Sequence, residues 1–338
     1  MKEMTNYDET LCKFLNAKVK EQGIVKWKRR ILNRGDFDGI SRGGIFNGDI
    51  LEIDDHIVMI SRCERYNWNE LFNGFSEKEK WWEEISALPI ISIWDKNITV
   101  CQEYFPLKRQ NYPHSSRIED FRLFTWGREI FCNHVYIFSG SGGRPQIASA
   151  VSKVDLNRRT LTFIDIPRLD FRINSTEKNW VFFEHKCDLF LVYSINPWRV
   201  LKLAKDFSAS QTVLNVKFTL PAFPSDSFIS CGANPLEFDD KHYILYYHTK
   251  FTEPLVYVQG AVLFDKLSLL PVSYSGFPYT IGEYTGEEYS GVLYISGAVD
   301  RGEKQLLIYG EADLHTGILE IDKKRLKGQT QQAKIRLN

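Results

Sequence analysis

At 338 residues the chain is long enough for one large domain or two ordinary ones, and its 43% apolar and 14% aromatic content supplies a sizeable core and excludes a disordered chain. Lysine plus arginine (43) equal aspartate plus glutamate (43), so the chain has no basic excess of the kind that general nucleic-acid binding needs. The six cysteines, at 12, 63, 101, 132, 187 and 231, show no C-x-x-C spacing, no apolar run reaches membrane-helix length, and the start lacks the apolar core of a signal peptide. The expectation is a soluble cytoplasmic protein with reduced thiols, no membrane span and no nucleic-acid partner; its oligomeric state is left open.

In chain order, residues 6–22 have the pattern of a short amphipathic helix. "WKRR" at 27–30 is a small basic cluster that reads as a solvated loop. Residues 68–87, "WNELFNGFSEKEKWWEEISA", read as a helical insertion. Almost everything else reads as short strands punctuated by turns, from "HIVMISRCE" through "ISIWDKNITVCQEYF", "HVYIFSG", "TLTFIDI", "LFLVYSI" and "YILYYHT" to "LLIYGEA".

Five segments share one outline: a polar cluster, an apolar strand, a turn and a second apolar strand. They are led by Asn47, Asp120, Lys178, Asn234 and Gly297, 56 to 73 residues apart, the first interval being longest because it holds the insertion. Five repeats of four-stranded size predict an all-β fold, a five-bladed β-propeller. Its polar clusters would then converge at one mouth of a central channel. The whole chain reads as a single domain, with an N-terminal extension (1–40), the propeller (41–325) and a C-terminal tail (326–338). A decorated β-sandwich is the runner-up; it explains the strands but not the matched polar starts.

Chemistry-bearing residues fall on those clusters. In "IEDFRLF", two acids and a base interrupt an apolar strand. Strand alternation puts Asp120 and Arg122 on one face and Glu119 on the other. The bland reading is an ion pair closing a blade; the repeats tilt the reading toward a site. "EKNW" offers Lys178 and Asn179 to an anion or to sugar hydroxyls. "YSINPWRV" offers Tyr193 and Arg199, and arginine can grip phosphate bidentately. His248 in "YILYYHTK" suits a core position or a site. Asp313 in "IYGEADLHTG" is as well suited to a turn as to a site. "SGSGGRP" at 139–145 precedes no helix and is no phosphate loop, and no histidine spacing suggests a metal.

The order of these motifs resembles that of the β-mannoside phosphorylase family, glycoside hydrolase family 130, and its glycosyltransferase relatives, among them glycan phosphoribosyltransferases. The family's E-D-P-R appears as Glu119-Asp120-Phe121-Arg122 and its Lys-Asn as Lys178-Asn179. Its arginine after the next strand appears as Arg199, its Y-H-G strand end as the strand ending at His248, and its Y-G-x-A-D as "YGEAD" with Asp313. The resemblance implies a five-bladed propeller in which Asp120 is the general acid or base. It implies that Lys178, Arg199 and His248 bind phosphate, with Arg122 beside them. Asn47, Arg62, Glu119, Asn179, Tyr193, Asn234 and Asp313 are expected to line the pocket for substrate.

Phe121 stands where the motif has proline, and "Lys-His" where the phosphorylases have Gly-Trp before their Y-H-G. Those departures favour an inverting glycosyltransferase of polysaccharide biosynthesis that uses a glycan acceptor and a phosphorylated sugar donor of sugar-phosphate or phosphoribosyl-pyrophosphate type. An inverting phosphorylase using inorganic phosphate is the alternative, and a non-catalytic glycan- or protein-binding propeller the third reading. No cofactor is required by the sequence; Mg²⁺ is expected only as companion to a pyrophosphate donor.

Overall fold

The computed structural model of the chain describes residues 6–65, 87–113, 116–139, 145–218, 220, 228–252, 255–275, 280–282 and 289–336. The helical insertion expected at 68–87 lies, apart from Ala87, outside the described residues, as do residues 140–144 of the glycine-rich stretch. A helix spans Asn6–Gln22, as its periodicity predicts.

The next element departs from expectation. "WKRR" is not a loop but part of strand β1 (Val25–Leu32). Blade 1 follows as β2 (Gly44–Ile53), β3 (His56–Glu64), β4 (Leu88–Asp95) and β5 (Cys101–Pro106). Blade 2 comprises β6 (Lys108–Gln110), β7 (Arg117–Trp126), β8 (Glu129–Ser139), β9 (Pro145–Asp155) and β10 (Thr160–Asp165), with β6 parallel to β10 at the outer edge. Blade 3 comprises β11 (Val181–His185), β12 (Asp188–Ser194), β13 (Trp198–Leu203) and β14 (Ser210–Phe218). Blade 4 comprises β15 (Phe228–Cys231), β16 (Leu236–Glu237), β17 (His242–Thr252), β18 (Leu255–Asp265), β19 (Pro271–Ser275) and β20 (Thr280–Ile281). Blade 5 comprises β21 (Leu293–Arg301), β22 (Lys304–Glu311) and β23 (His315–Asp322).

Blade 5 is completed from the other end of the chain. β1 pairs antiparallel with β23, Val25 opposite Ile321 and Leu32 opposite Thr316. The segment expected to be an N-terminal extension therefore supplies the outer strand that closes the ring. The expected C-terminal tail is likewise built in: β24 (Thr330–Gln332) pairs with β19, and β25 (Ile335–Arg336) pairs with β14. The innermost strands adjoin around the axis, β2 against β7 and β21, β7 against β11, and β16 against β21. The result is a five-bladed β-propeller.

Each seam between blades has its own apolar filling. Trp198, Phe218 and Phe264 fill the seam of blades 3 and 4, and Phe124 stacks on Phe182, centroids 5.0 Å apart, between blades 2 and 3. Each such fully buried side chain contributes about 1.5–3 kcal/mol. The polar starts of the repeats pin the inner strands together. Asp49 accepts a bond from the Leu123 amide at 2.8 Å, joining blades 1 and 2. Gly297 permits this: a Cβ there would stand 2.2 Å from Asp49 Oδ1. Asn234 joins blade 4 to its neighbours, accepting from the Phe182 amide at 2.9 Å and donating to the Leu123 carbonyl at 2.8 Å. Cys63, Cys101, Cys132, Cys187 and Cys231 are free thiols. Among the described residues no helix is long and apolar enough to cross a membrane.

Candidate active site

Two inner strands break their regular pairing where they reach the mouth of the channel. β2 bulges between Phe46 and Asp49, and β7 between Glu119 and Arg122. At these bulges Asn47 and Asp120 adopt left-handed backbone, φ 47° and 55°. Asn179 (φ 63°) and Asp313 (φ 53°) do the same at the starts of blade 3 and the β22–β23 turn. Asn and Asp are the side chains that tolerate this region best, and such strain concentrates at functional sites. Asn47 needs one more concession: a Cβ at Gly310 would stand 2.2 Å from its Oδ1.

The bulge at Asp120 corrects the alternation argument. An extra residue re-aims the side chains, so Glu119 and Asp120 both line the mouth while Arg122 turns beneath it. Arg122 is 1% exposed; its Nε donates to the Gly232 carbonyl at 2.6 Å and its Nη2 to Asn179 Oδ1 at 3.0 Å. It is a strut under the site rather than a wall of it.

The mouth is a cavity of about 620 Å³. Its walls differ in charge. On the side of blades 1, 2 and 5 stand Arg62, Arg117, Glu119, Asp120 and Asp313. Arg62 Nη1 lies 2.9 Å from Asp120 Oδ1, and its Nη2 lies 2.6 Å from both Glu64 and Glu119. Asn47 Nδ2 donates to the same Asp120 oxygen at 2.9 Å. Burial alone would raise the Asp120 pKa, but Arg62, the Asn47 amide and Arg122 outweigh it and hold the carboxyl at about 2. Asp313 is pushed the other way, to about 6, by burial and by its carboxylate neighbours, with Arg62 opposing.

On the side of blades 3 and 4 stand Lys178, Asn179, Ser230, His248 and Lys250. Among the described residues neither lysine has a carboxylate partner. His248 is 5% exposed and its Nδ1 is buried with no hydrogen-bond partner. Its ring lies parallel to Tyr257 at 5.2 Å and edge-on to Tyr294 at 4.7 Å. Burial, with the cations Arg122 and Lys178 nearby, lowers its pKa to about 3, so the imidazole is neutral at working pH. Among the described residues no group of three or more His, Cys, Asp or Glu side chains is disposed to hold a metal ion.

Of the residues singled out in the sequence, Asn47, Arg62, Glu119, Asp120, Lys178, Asn179, His248 and Asp313 meet in this cavity. Four do not line it: Arg122, the strut described above, and Arg199, Tyr193 and Asn234. Arg199 opens β13, two strands out from the axis, and its guanidinium sits over Phe171 (4.4 Å) and Tyr193 (5.6 Å). Tyr193 bonds Glu177 at 2.9 Å, and Asn234 is the blade pin described above. Lys250, Arg117, Tyr257 and Tyr294 were not anticipated. Lys250 was within reach of the reading, because it lies two residues after His248 on one strand and so shares its face.

A family profile described as beta-1,4-mannooligosaccharide phosphorylase matches residues 154–329. No curated protein matches the chain. Among solved structures, the beta-1,2-mannobiose phosphorylase from Listeria innocua superposes with a TM-score of 0.63 at 16% identity, over 89% of this chain and 98% of its own. A mannose phosphorylase from Leishmania mexicana, in complex with phosphate ion, superposes with a TM-score of 0.59 at 11% identity, over 97% of both chains. A third, from work on the glycoside hydrolases that the mannoside phosphorylase family contains and that target beta-1,2 mannosidic linkages in Candida mannan, gives a TM-score of 0.62 at 14% identity, over 85% of this chain and 86% of its own. At these identities the superpositions speak for the propeller alone.

Proposed function

The chain belongs to glycoside hydrolase family 130, the beta-1,4-mannooligosaccharide phosphorylase family, and from that premise we propose that it is an inverting glycoside phosphorylase acting on a mannoside-type oligosaccharide with inorganic phosphate. The observation that carries this is the unpaired basic wall. Among the described residues Lys178 and Lys250 line the cavity without a carboxylate partner, beside a neutral His248 whose buried Nδ1 has no hydrogen-bond partner. Two cations converging on one wall suit a phosphate dianion. A family member that used water would call instead for a carboxylate base on that wall.

The chemistry follows from the opposition of the walls. A phosphate oxygen held by the lysines attacks the anomeric carbon as the glycosidic bond breaks on the other face, inverting its configuration. The leaving oxygen needs a proton, and the acidic wall is where carboxyl groups face it. Asn47, Asn179 and the aromatic rings of Tyr257 and Tyr294 offer hydrogen bonds and flat faces to the sugar.

The direct test is ³¹P NMR of the protein with β-linked mannobioses and phosphate. Release of mannose 1-phosphate that stops when phosphate is withheld supports the reading. Equal cleavage without phosphate makes the enzyme a hydrolase. A second reading, glycosyl transfer from a phosphorylated donor to a glycan, is favoured by one observation: Asp120 is ionised at rest, the state that takes a proton from an acceptor hydroxyl. A thermal-shift panel separates the two: a rise in Tm with phosphoribosyl pyrophosphate but not with inorganic phosphate favours transfer, whereas a rise with both phosphate and mannose 1-phosphate, the co-substrate and product of phosphorolysis, favours the phosphorylase.

A further inference from the structure

A second pocket, of about 670 Å³, opens where the apolar filling between blades 5 and 1 runs out. Tyr294 lines the mouth and Arg301 lines this pocket, at opposite ends of β21, so the two lie about 20 Å apart on opposite faces of the propeller. Strand pairing builds one wall. Trp27 of β1 stands opposite Glu320 of β23, and Glu320 opposite Leu306 of β22, so the three form one row across blade 5. The β4–β5 turn of blade 1 builds the other wall with Asn97 and Thr99. That turn is fixed from both sides. Asp95 Oδ1 accepts from the Thr99 and Val100 amides at 2.6 Å, and the Ile98 side chain is buried. Across the seam, Arg29 Nη2 donates to the Ile98 carbonyl at 2.8 Å and Arg301 Nη2 to the Lys96 carbonyl at 3.1 Å.

The charges around this pocket are already spent. Arg301 Nη1 lies 2.8 Å from Glu52, which Lys96 also meets at 3.4 Å. Glu320 pairs with Lys304 at 2.8 Å, and Lys28 reaches Glu311 at 3.9 Å. Arg29 spends its guanidinium on the turn carbonyls and on the ring of Trp27, 5.5 Å away. What the pocket still offers is uncharged. The Trp27 indole is 38% exposed, and among the described residues neither its N–H nor the Asn97 side-chain amide has a hydrogen-bond partner. A flat apolar ring flanked by amide, hydroxyl and carboxylate groups matches the C–H face and hydroxyl rim of a pyranose; an anion would have to break existing ion pairs to bind. We propose that this pocket is a second carbohydrate site, which holds a neutral oligosaccharide against Trp27 on the face opposite the mouth. Its walls are pinned in advance, so binding orders little else.

Such a grip leaves the mouth open. A long glycan held here stays near the protein between encounters with the mouth, which raises the local concentration of chain ends without a new contact there. That use rests on the mouth acting on glycans; the binding itself does not.

The test follows side-chain N–H peaks of the ¹⁵N-labelled protein by NMR during titration with β-1,4-mannohexaose, with phosphate withheld. The chain has eight tryptophans, and none of those described lines the mouth. The Trp27 indole peak, identified by its loss in Trp27→Tyr, therefore reports on this pocket, and it should shift saturably. Asn97→Ala, which leaves β1 and the closing of the ring untouched, should weaken the Kd read from that peak about three- to tenfold. In Trp27→Ala the Asn97 amide peaks, identified by their loss in Asn97→Ala, should stay still, and Trp27→Tyr should restore their movement. A Trp27 peak that stays still with mannohexaose and with cellohexaose overturns the proposal. So does one that moves only with inorganic phosphate or AMP, which would make the pocket an anion or nucleotide site. Turnover does not enter: a protein that forms no sugar phosphate would sink the phosphorolysis reading and leave these peaks as they are.

Discussion

The two walls of the cavity are made of similar materials put to different use. On the wall of blades 1, 2 and 5, Arg62 is bound into a network with Glu64, Glu119 and Asp120. On the wall of blades 3 and 4, Lys178 and Lys250 have no carboxylate partner among the described residues, and the rings of Tyr257 and Tyr294 pack on His248. Asp313 apart, the first wall is paired before any ligand arrives, so it fixes geometry. The second is completed by what binds. Charges that are already paired say how a site is held; charges that are not say what it takes.

The contrast can be broken most sharply at Asp120. Asp120→Asn keeps the shape and removes the charge, and should lower turnover by about 10³-fold or more while Tm moves only a few degrees. A large fall in Tm with turnover retained would make Asp120 a structural ion-pair partner only. Next comes Arg62→Ala, which strands three carboxylates at once. Chemical denaturation should show a loss of about 3–5 kcal/mol, and a loss near zero would mean the network does not hold the wall.

The open wall predicts a different signature. Lys178→Ala or Lys250→Ala should raise the KM for phosphate about ten- to a hundredfold and leave the KM for glycan nearly unchanged. Equal effects on both would remove the anion from that wall. Arg199→Ala should leave the phosphate KM within about twofold, because its guanidinium is spent on Phe171 and Tyr193. A large rise there would return Arg199 to the site.

The smallest effect concerns pH. The Asp313 carboxyl is raised in the folded protein, so its contribution favours folding below the ordinary carboxyl range and is lost as pH rises from about 4 through about 6. Asp313→Asn should therefore melt slightly higher than wild type at pH 7.5, by an amount on the order of 1 kcal/mol, with no advantage at pH 4. A pH-independent difference in Tm would show that burial there does not depend on charge.

Much of this site was legible because the chain repeats. Asn47, Asp120 and Lys178 stood out as polar residues recurring at blade starts, and they do meet at one mouth. What failed was local geometry. Strand alternation sent Glu119 away from Asp120, and only the bulge between Glu119 and Arg122 brings them side by side. Spacing alone also could not tell a pin from a wall, so Asn234, at the right interval for the site, turns out to bond the Phe182 amide and the Leu123 carbonyl. Arg199 fits the order of motifs, but its strand lies too far from the axis to line the cavity. "WKRR" looked like a loop because the strand that makes β1 a strand is at the far end of the chain.

That last pairing has a consequence in time. A ribosome delivers β1 before any blade and β23 after nearly all of them, so the first strand made must wait unpaired until the last blade is complete. The ring cannot close gradually. Its closing contact is among the longest-range in the chain, and such contacts are the slow ones. A nascent chain halted before residue 315 should leave β1 open to protease, and release of the full chain should bury it in a single step.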